Sequence, residues 1–296
     1  MKPIARRSFL KNAGQVAAFG CLGNNLAAAA GRVGLIVPPG DALVGTPPVK
    51  WAVGELRRAL ESKGAASVVA GSAAEAGDCR YFISVAAERT PLPAEGFRLT
   101  PEKTSAKPGL RATASDTRGF VYALTELADR VSYGADPIAA ITLPGPLQDQ
   151  PANKVRSVAR AFVSDVEDKP WFYDRALWRE YLTALVTNRF NRFSLTFGLG
   201  YDFPRDVVGD YLHFPYPYLF DVPGYKVRAV PLDDAERDRN FEALRFIAEE
   251  AGLRGLEFQI GLWTHAYQWT DSPRAHHHIE GLTAATHAPY CRDALT

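Results

Sequence analysis

Cysteine, methionine and long hydrophobic runs are all scarce in this sequence. Among its 296 residues, three are cysteines and one is a methionine. Cys79 and Cys291 stand far apart in the chain and fit no metal-binding spacing, which argues against a disulfide framework and against a zinc motif. Both are expected to be buried and to act as small apolar residues. No stretch is long and apolar enough for a stable membrane span.

Positive charge is also scarce once the first 30 residues are set aside. The formal net charge of the chain is +1, and Lys2, Arg6, Arg7 and Lys11 lie in that leading segment, which has no acidic residue. The remaining chain is therefore slightly acidic. A nucleic-acid partner is not expected, because nucleic-acid-binding surfaces need a basic footprint. Hydrophobic residues make up 47% of the chain, which is enough for a packed core and excludes the intrinsically disordered class.

The first 30 residues are predicted to be a twin-arginine signal peptide. Residues 6–11 read RRSFLK, a mildly apolar run follows from Ala13 to Leu26, and residues 27–30 are four alanines that suit signal cleavage. The twin-arginine export machinery is therefore an expected partner, and the periplasm or the cell exterior is the expected location. Two alternatives remain, an amphipathic surface helix and a lipid attached at Cys21, although the residues before Cys21 match a lipidation site poorly.

Residues 31–150 have the pattern of a small α/β domain. A helix is predicted over residues 50–62, and a second helix begins near residue 117 with Asp116 or Thr117 as its cap. Gly119 is expected to let another backbone come close. The predicted strands cover residues 34–37, 67–70, 81–85, 96–100 and a segment that ends near residue 114. Two helices can cover one face of such a sheet.

Residues 151–296 alternate between strand and helix. A Pro/Gly-rich linker is predicted over residues 144–151, before the first of these strands. Asp174 is expected to cap one helix, and Asp233 with Glu236 forms a capping box for the next. The predicted strands cover residues 155–162, 193–197 and 256–262, and the predicted helices cover residues 174–188, 233–251, with Phe241 facing inward, and a segment starting at Thr286 with Pro289 in its first turn.

This β-α-β-α-β-α order is that of a (β/α)₈ barrel. Three strands cannot close a barrel, and a full barrel needs roughly 250 residues. The fold class is therefore predicted as α/β, with a small accessory domain followed by the first three strand-helix units of a truncated barrel. A smaller open sheet is the alternative.

Aromatic residues are concentrated in the two long loops that follow the second and third of these strands. Barrel active sites lie on such loops. Tyr201, Trp263, His265 and Tyr267 are the candidate substrate-binding residues, because aromatic rings stack on the C–H face of a sugar while polar edges contact hydroxyls. Packing of the rings onto the barrel rim is the alternative. The same loops also carry His213, Phe214, Tyr216, Tyr218, Phe220 and Trp269.

Metal and carboxylate motifs are weak. His276, His277 and His278 are adjacent, and adjacent side chains are expected to point in different directions, so neither a metal nor a cofactor is expected. A metal-dependent hydrolase that uses these histidines remains a third hypothesis. Paired carboxylates are typical of glycosidases. The acidic residues near the predicted strands belong to no specific motif, and residues 165–168 are expected to form a solvated loop; these acids are Asp165, Glu167, Asp168, Asp202, Asp206 and Glu257.

Residues 114–124, which read ASDTRGFVYAL, resemble the end of the N-terminal accessory domain of β-hexosaminidases and α-glucuronidases. Those proteins place a small α/β domain before a (β/α)₈ catalytic barrel. The first part of the barrel also looks similar, in the segments VRS at 155–157, WREYL at 178–182 and NRFNRF at 188–193. The resemblance covers about residues 33–262 and implies a glycoside hydrolase-like protein.

The resemblance also bears on the site residues. It implies that the catalytic carboxylates lie mostly at or beyond the fourth barrel strand, so no catalytic residue can be carried over to this sequence. It makes Arg160, in the first barrel strand, a candidate for substrate binding. A buried ion pair is the alternative role of Arg160.

The sequence therefore predicts an exported hydrolase of O-glycosidic bonds in oligo- or polysaccharides. It is expected to be present as an N-terminal fragment that lacks its catalytic carboxylates and is inactive by itself. A complete enzyme would use two carboxylates, one of which gives a proton to the leaving oxygen. The alternative is a non-enzymatic periplasmic carbohydrate-binding protein of two α/β lobes, which would bind sugar reversibly and close about a hinge.

Overall fold

The computed structural model describes residues 31–87, 92–163, 165–197, 215–262 and 278–296. For residues 165, 166 and 278 it describes the backbone only. Within these ranges, no helix is long and apolar enough to cross a membrane. Cys79 is buried, as the sequence predicted, whereas Cys291 is half-buried.

A six-stranded sheet forms the centre of the first unit, in the order β2-β1-β3-β5-β4-β6. Strands β2, β1, β3 and β5 run parallel, and β4 runs antiparallel to both of its neighbours. The elements of this unit are β1 (Arg32–Ile36), α1 (Pro47–Ser62), β2 (Ala66–Ala70), α2 (Ala73–Ala76), β3 (Tyr81–Ala87), β4 (Phe97–Thr104), β5 (Lys107–Ala114), α3 (Thr117–Tyr133), α4 (Pro137–Ile141) and β6 (Leu147–Asp149). The predicted strands and both long helices are confirmed.

Helices α1 and α3 pack side by side on one face of this sheet. Asp116 caps α3, because its side chain accepts a hydrogen bond of 2.9 Å from the backbone N–H of Gly119. Gly119 also allows the close approach that the sequence predicted, since a Cβ there would lie 2.5 Å from the carbonyl oxygen of Gly96. The beginning of α3 is therefore fixed against the beginning of β4.

The predicted linker at residues 144–151 is partly wrong. Leu147–Asp149 forms the edge strand β6, which pairs with β4 and places Gln148 opposite Arg98. The Arg98 guanidinium donates to the Gln148 side-chain oxygen at 2.8 Å. The flanking prolines made this segment look like a linker in the sequence, but an edge strand tolerates prolines at its ends.

The second unit is built on a three-stranded parallel sheet, in the order β10-β8-β7. Its strands and the helices that connect them are confirmed to within a few residues. The elements are β7 (Ser157–Phe162), α5 (Asp165–Phe172), α6 (Arg175–Thr187), β8 (Arg192–Phe197), α7 (Tyr216–Leu219), β9 (Arg228–Val230), α8 (Asp234–Leu253), β10 (Glu257–Leu262), β11 (His278–Glu280) and α9 (Ala284–Asp293). Asp174 and Asp233 cap α6 and α8 as predicted.

Three local predictions in this unit are corrected. Thr283, and not Thr286, is the N-cap of α9; Thr286 is its capping-box partner, so Pro289 lies inside the helix and not in its first turn. Phe241 is 43% exposed although its spacing predicted an inward position. The neighbouring Asn240 points inward instead, because its amide donates to the Tyr218 carbonyl oxygen at 2.9 Å.

A buried polar junction joins the two units. Glu95, in the loop before β4, accepts hydrogen bonds from Arg118 at 3.1 Å and from Asn191 at 2.9 Å, and it also pairs with Arg156. Burial alone would raise the pKa of Glu95, but these donors together lower it below its ordinary value. Arg118 is therefore paired, and it also contacts Glu257 of β10 at 3.2 Å.

A second contact between the units is centred on Arg254, which is 4% exposed. Its guanidinium donates to the Thr183 hydroxyl at 3.0 Å and pairs with Glu250. It also lies 5.1 Å from the ring centre of Trp51 in α1. The Trp51 contact joins the two units, whereas the contacts with Thr183 and Glu250 stay within the second unit.

Candidate functional site

The C-terminal ends of β7, β8 and β10 lie side by side at one edge of their sheet, which we call the carboxyl edge. Phe162 of β7 is in register with Phe197 of β8, which is in register with Leu262 of β10. In folds built from parallel β/α units, the loops after the strands converge at this edge and carry the functional groups. The residues that follow these three strands are therefore the first candidates for a site.

Helix α5 follows β7 where the sequence predicted a solvated acidic loop. One carboxylate oxygen of Asp168 accepts a hydrogen bond from the backbone N–H of Val163 at 2.7 Å, and the other accepts from the indole N–H of Trp171 at 2.8 Å. Asp168 thus satisfies a donor at the end of the strand and orients the Trp171 ring. The helix, with Asp168 inside it, replaces the expected loop.

Arg160 lies against this Trp171 ring. The centre of its guanidinium is 3.9 Å from the ring centre of Trp171 and 6.0 Å from that of Tyr181, distances at which cation–π attraction operates. Burial raises the pKa of Tyr181, and the positive charge of Arg160 opposes that rise. Among the described residues, Arg160 makes no hydrogen bond and no ion pair. Arg160 is in register with Leu195, so its side chain lies on the helix-covered face of the sheet, and its N–H donors are unused by the described residues.

A cluster of aromatic rings supports the Arg160 position. Phe162 contacts Phe172 with 5.1 Å between ring centres and Phe197 with 5.5 Å. The ring centre of Trp178 in α6 lies 5.7 Å from that of Trp171, and Trp178 is fully buried. The Phe162–Phe172 and Trp171–Trp178 contacts are edge-to-face and hold α5 on the sheet, so the ring beneath Arg160 has a defined orientation.

The face of the sheet that points away from the helices carries small and polar side chains. The Ser194 hydroxyl donates to the Gln259 side chain at 3.0 Å. Nearer the carboxyl edge, a Cβ at Gly261 would lie 2.8 Å from the Thr196 hydroxyl oxygen, so the two strands leave no room for a further side chain there. Ala159 and Gln259 are exposed. This face is hydrophilic and carries no helix among the described residues.

The other sequence-predicted site residues cannot be placed. Tyr201, Trp263, His265 and Tyr267 all lie outside the described residues. Of the further aromatic residues in these loops, Tyr216 and Tyr218 are 2% and 3% exposed and belong to packed clusters. For those two residues, packing is the observed role.

The two long loops are not structureless in their described parts, which the sequence reasoning missed. Strand β9, after β8, pairs antiparallel with β11, after β10, and places Ala229 opposite Ile279. The Tyr216 and Tyr290 rings pack beside this small sheet with 6.1 Å between their centres, and burial raises the pKa of Tyr216 to about 12. The glycine at position 281, directly after β11, was the signal that the sequence offered for this pairing. In the structure Gly281 has a φ of +79°, and a Cβ there would lie 2.0 Å from the carbonyl oxygen of Lys226.

A metal centre is not seen in the described part of the chain, where no three His, Cys, Asp or Glu side chains converge. His265, His276 and His277 lie outside that part, and the side chain of His278 is not described. The hypothesis of a histidine-based metal site is therefore untested.

Comparison with solved structures identifies the fold. The chain is similar to a GH138 enzyme targeting pectin rhamnogalacturonan II, with 22% identity, a TM-score of 0.52 and coverage of 76% of this chain. It spans 30% of the length of that enzyme. No protein-family model and no curated protein sequence matches.

Two further structures are similar at lower TM-scores. One is a GH115 4-O-methyl-α-glucuronidase with specificity for decorated arabinogalactans, at 15% identity, a TM-score of 0.42 and coverage of 55% of this chain and 25% of that one. The other is the GH84 protein CpGH84B, at 11% identity, a TM-score of 0.37 and coverage of 71% and 31%. The chain therefore has a glycoside hydrolase-like α/β fold, on the strength of the first similarity.

Proposed function

We propose that this chain is the N-terminal part of an exported glycoside hydrolase that acts on O-glycosidic bonds in an oligo- or polysaccharide. The observation that carries the proposal is the order of the fold, a small α/β unit followed by parallel β-α-β-α-β, together with its similarity to the GH138 enzyme. Because that enzyme targets pectin rhamnogalacturonan II, pectic oligosaccharides are the first substrates to test. A fold by itself does not define a reaction, so the site must supply the rest of the argument.

The three-stranded sheet is proposed to belong to a (β/α)₈ barrel. Its outer strands β7 and β10 each have one edge without a partner among the described strands. Its hydrophilic face, with Ser194 and Gln259, lies opposite the helices, where a barrel has its interior. Closing the sheet would satisfy both strand edges and cover that face.

Substrate binding is proposed for the carboxyl edge. Arg160 contributes a guanidinium whose donors are unused among the described residues, and guanidinium N–H groups suit sugar hydroxyls or a uronic acid carboxylate. Tyr201 follows β8, and Trp263, His265 and Tyr267 follow β10, so these residues would stack on or hydrogen-bond to the sugar beside Arg160.

The catalytic carboxylates are proposed to come from later strands. Asp168 is the carboxylate that the structure places at the end of β7, and both of its oxygens already accept protein hydrogen bonds. A carboxylate whose two oxygens are both engaged with the protein is poorly placed to contact a glycosidic oxygen as a general acid. Residues 31–296 should therefore bind sugar without cleaving it.

The proposal is tested with the purified chain. Saturation-transfer NMR with pectic oligosaccharides should detect binding, while aryl-glycosides should show no turnover. Arg160→Met should weaken binding about tenfold, the loss expected when one charge-assisted hydrogen bond is removed. Arg245→Met, at an arginine that is 56% exposed on α8, is the matched control and should change nothing. Turnover by the chain would overturn the assignment of the carboxylates to later strands, and unchanged binding by Arg160→Met would remove Arg160 from the site.

The alternative, a two-lobed sugar-binding protein that closes about a hinge, is not favoured. A hinge needs an interface that can open, whereas Glu95 pairs with Arg156 across the two units and the Arg254 guanidinium lies against the Trp51 ring of the first unit. The similarity to glycoside hydrolase structures points the same way.

Export by the twin-arginine route is proposed from the sequence of residues 1–30, which lie outside the described residues. The expected result is that a chain carrying Arg6→Lys and Arg7→Lys stays in the cytoplasm, while the native chain is recovered from the periplasm or the medium. Cell fractionation with immunoblotting measures this. Equal export of both chains would contradict the proposal.

A further inference from the structure

A cleft of about 300 Å³ lies between α1 and α3 of the first unit and α6 of the second. It opens into a larger groove of about 790 Å³, with which it shares Glu55, Arg58, Thr183 and Thr187. Thr187 ends α6, and the chain then enters β8 at its N-terminal end. The cleft therefore lies toward the end of the sheet opposite the carboxyl edge. Volumes of this size, at the boundary between two units, are typical of small-molecule sites.

Asp129 of α3 lines this cleft with a carboxylate that has no partner in the described part of the chain. The side chain is half-buried, and among the described residues it forms no hydrogen bond and no ion pair. Burial raises its pKa, and the negative charge of Glu126 raises it further. A partly desolvated carboxylate without a donor is unfavourable for the protein alone, since buried polar groups are normally hydrogen-bonded. A ligand that presents donors would relieve this cost.

The hydroxyl groups around Asp129 also offer acceptors. Ser62, Thr125 and Ser132 each donate their hydroxyl hydrogen to a carbonyl oxygen of their own helix, in every case at 2.8 Å. The lone pairs of those oxygens remain available, and an ionised carboxylate can only accept. The wall of the cleft is therefore rich in acceptors, so a complementary ligand must carry several O–H or N–H donors.

Aromatic side chains border the adjoining groove. Trp51 is half-buried on α1, and Tyr133, at the end of α3, is 90% exposed. Aromatic rings next to a hydrogen-bonding cleft suit a sugar, whose C–H face packs on a ring while its hydroxyls bond to polar groups. Arg58 and Thr183, in the region shared by cleft and groove, add potential donors for ring or glycosidic oxygens.

We propose that this cleft is a second carbohydrate site, in which Asp129 accepts hydrogen bonds from the hydroxyls of one sugar unit of a glycan. The site is separate from the carboxyl edge and would hold a polysaccharide chain while another part of it is processed. The choice of sugar among hydroxyl-rich ligands rests on the proposed function, whereas the need for a donor-rich ligand rests on the cleft alone.

The test uses methyl glycosides of glucose, galactose and rhamnose with the purified chain. Two-dimensional ¹H–¹⁵N NMR should show saturable shifts at the amides of Ser62, Asp129 and Thr183 for at least one probe, with a dissociation constant of about 1 to 10 mM, typical of a single weakly held sugar. Asp129→Ala should weaken this binding about tenfold or more. Asp78→Ala, at a carboxylate that is 94% exposed in the same unit, is the matched control and should bind as the native chain does.

Asp129→Ala should fold, because alanine suits a helix and the removed carboxylate has no partner among the described residues. Asp129→Asn, which keeps the size of the side chain, should give an intermediate loss. The proposal is overturned if no probe shifts the cleft amides up to about 30 mM, or if Asp129→Ala binds as tightly as the native chain. Arg160→Met should leave the cleft shifts unchanged, so failure of the carboxyl-edge site and failure of the cleft are distinguishable.

Discussion

Replacing Trp178 by alanine is expected to lower the free energy of unfolding by about 4 kcal/mol, within the range for truncating a buried tryptophan. Trp178 is fully buried, and its ring centre lies 5.6 Å from that of Phe193 in β8 and 5.7 Å from that of Trp171 in α5. The cavity would therefore open between α6, the sheet and the helix that carries the ring beneath Arg160. Urea denaturation followed by circular dichroism measures the loss.

Two further variants separate the contributions of Trp178. Trp178→Phe keeps most of the ring but removes the indole N–H that donates to the Phe172 carbonyl oxygen at 3.0 Å, so it should cost about 1 to 2 kcal/mol. Tyr133→Ala removes an aromatic ring that is 90% exposed and should change stability by less than about 0.5 kcal/mol. A Trp178→Ala effect no larger than that of Tyr133→Ala would show that this ring does not hold the second unit together.

Replacing Glu95 by glutamine is expected to cost about 3 kcal/mol, the loss typical when one partner of a buried ion pair is removed. The Glu95 side chain is 12% exposed, and the Arg156 side chain is 15% exposed. Glutamine keeps the size of the side chain but has one acceptor oxygen, so its NH₂ group must face a donor of Arg118, Arg156 or Asn191. Differential scanning calorimetry of the native chain and of Glu95→Gln at neutral pH measures the difference in their stability.

The pH dependence of this difference identifies its cause. The pKa of Glu95 is lower in the folded protein than its ordinary value of 4.5. Its contribution is therefore fully present above about pH 4.5 and is lost as the pH falls through the lower, folded pKa. The stability gap between the native chain and Glu95→Gln should be largest near neutral pH and should shrink on acidification below that value. A gap that does not change with pH would mean that packing, and not charge, holds the junction.

A matched replacement on the surface provides the control. Glu61→Gln removes one partner of an ion pair on α1 in which Arg57 and Glu61 are 44% and 48% exposed. Exposed pairs contribute little, because water and salt screen both charges, so its cost should be below about 0.5 kcal/mol. Equal effects of Glu95→Gln and Glu61→Gln would contradict the role of Glu95 as the central acceptor of the junction.

Elements with a strong periodic pattern could be predicted from the sequence. Helix α6 is an example, because Asp174 supplies its cap and Trp178, Leu182 and Leu185 recur on one face, all three of them buried in the structure. Helix α3 is another, with Asp116 as its cap. Capping and periodicity depend on residues within a few positions of each other, so the sequence displays them directly.

Contacts between distant residues were not visible in the same way. Glu95 stands in a short loop with a φ of +60°, and nothing local shows that Arg118, Arg156 and Asn191 converge on it. Strand β6 lacked a signal because three residues between turns resemble a linker until β4 provides a partner. The pairing of β9 with β11 likewise depends on two loops that meet only in the folded chain.

The sequence by itself determined the α/β alternation and the caps of the main helices, because both depend on short-range geometry. The family resemblance singled out Arg160, but not the Trp171 ring beneath it or the role of Asp168 in orienting that ring. Only the tertiary structure decided which charges pair across the junction, and only it brought Asp129 into a cleft between three helices. Those features depend on burial, which is a property of the packed chain. Burial makes a charged carboxylate costly without hydrogen-bond donors, and this is why Glu95 gathers donors at the junction and why a donor-rich ligand is proposed for Asp129.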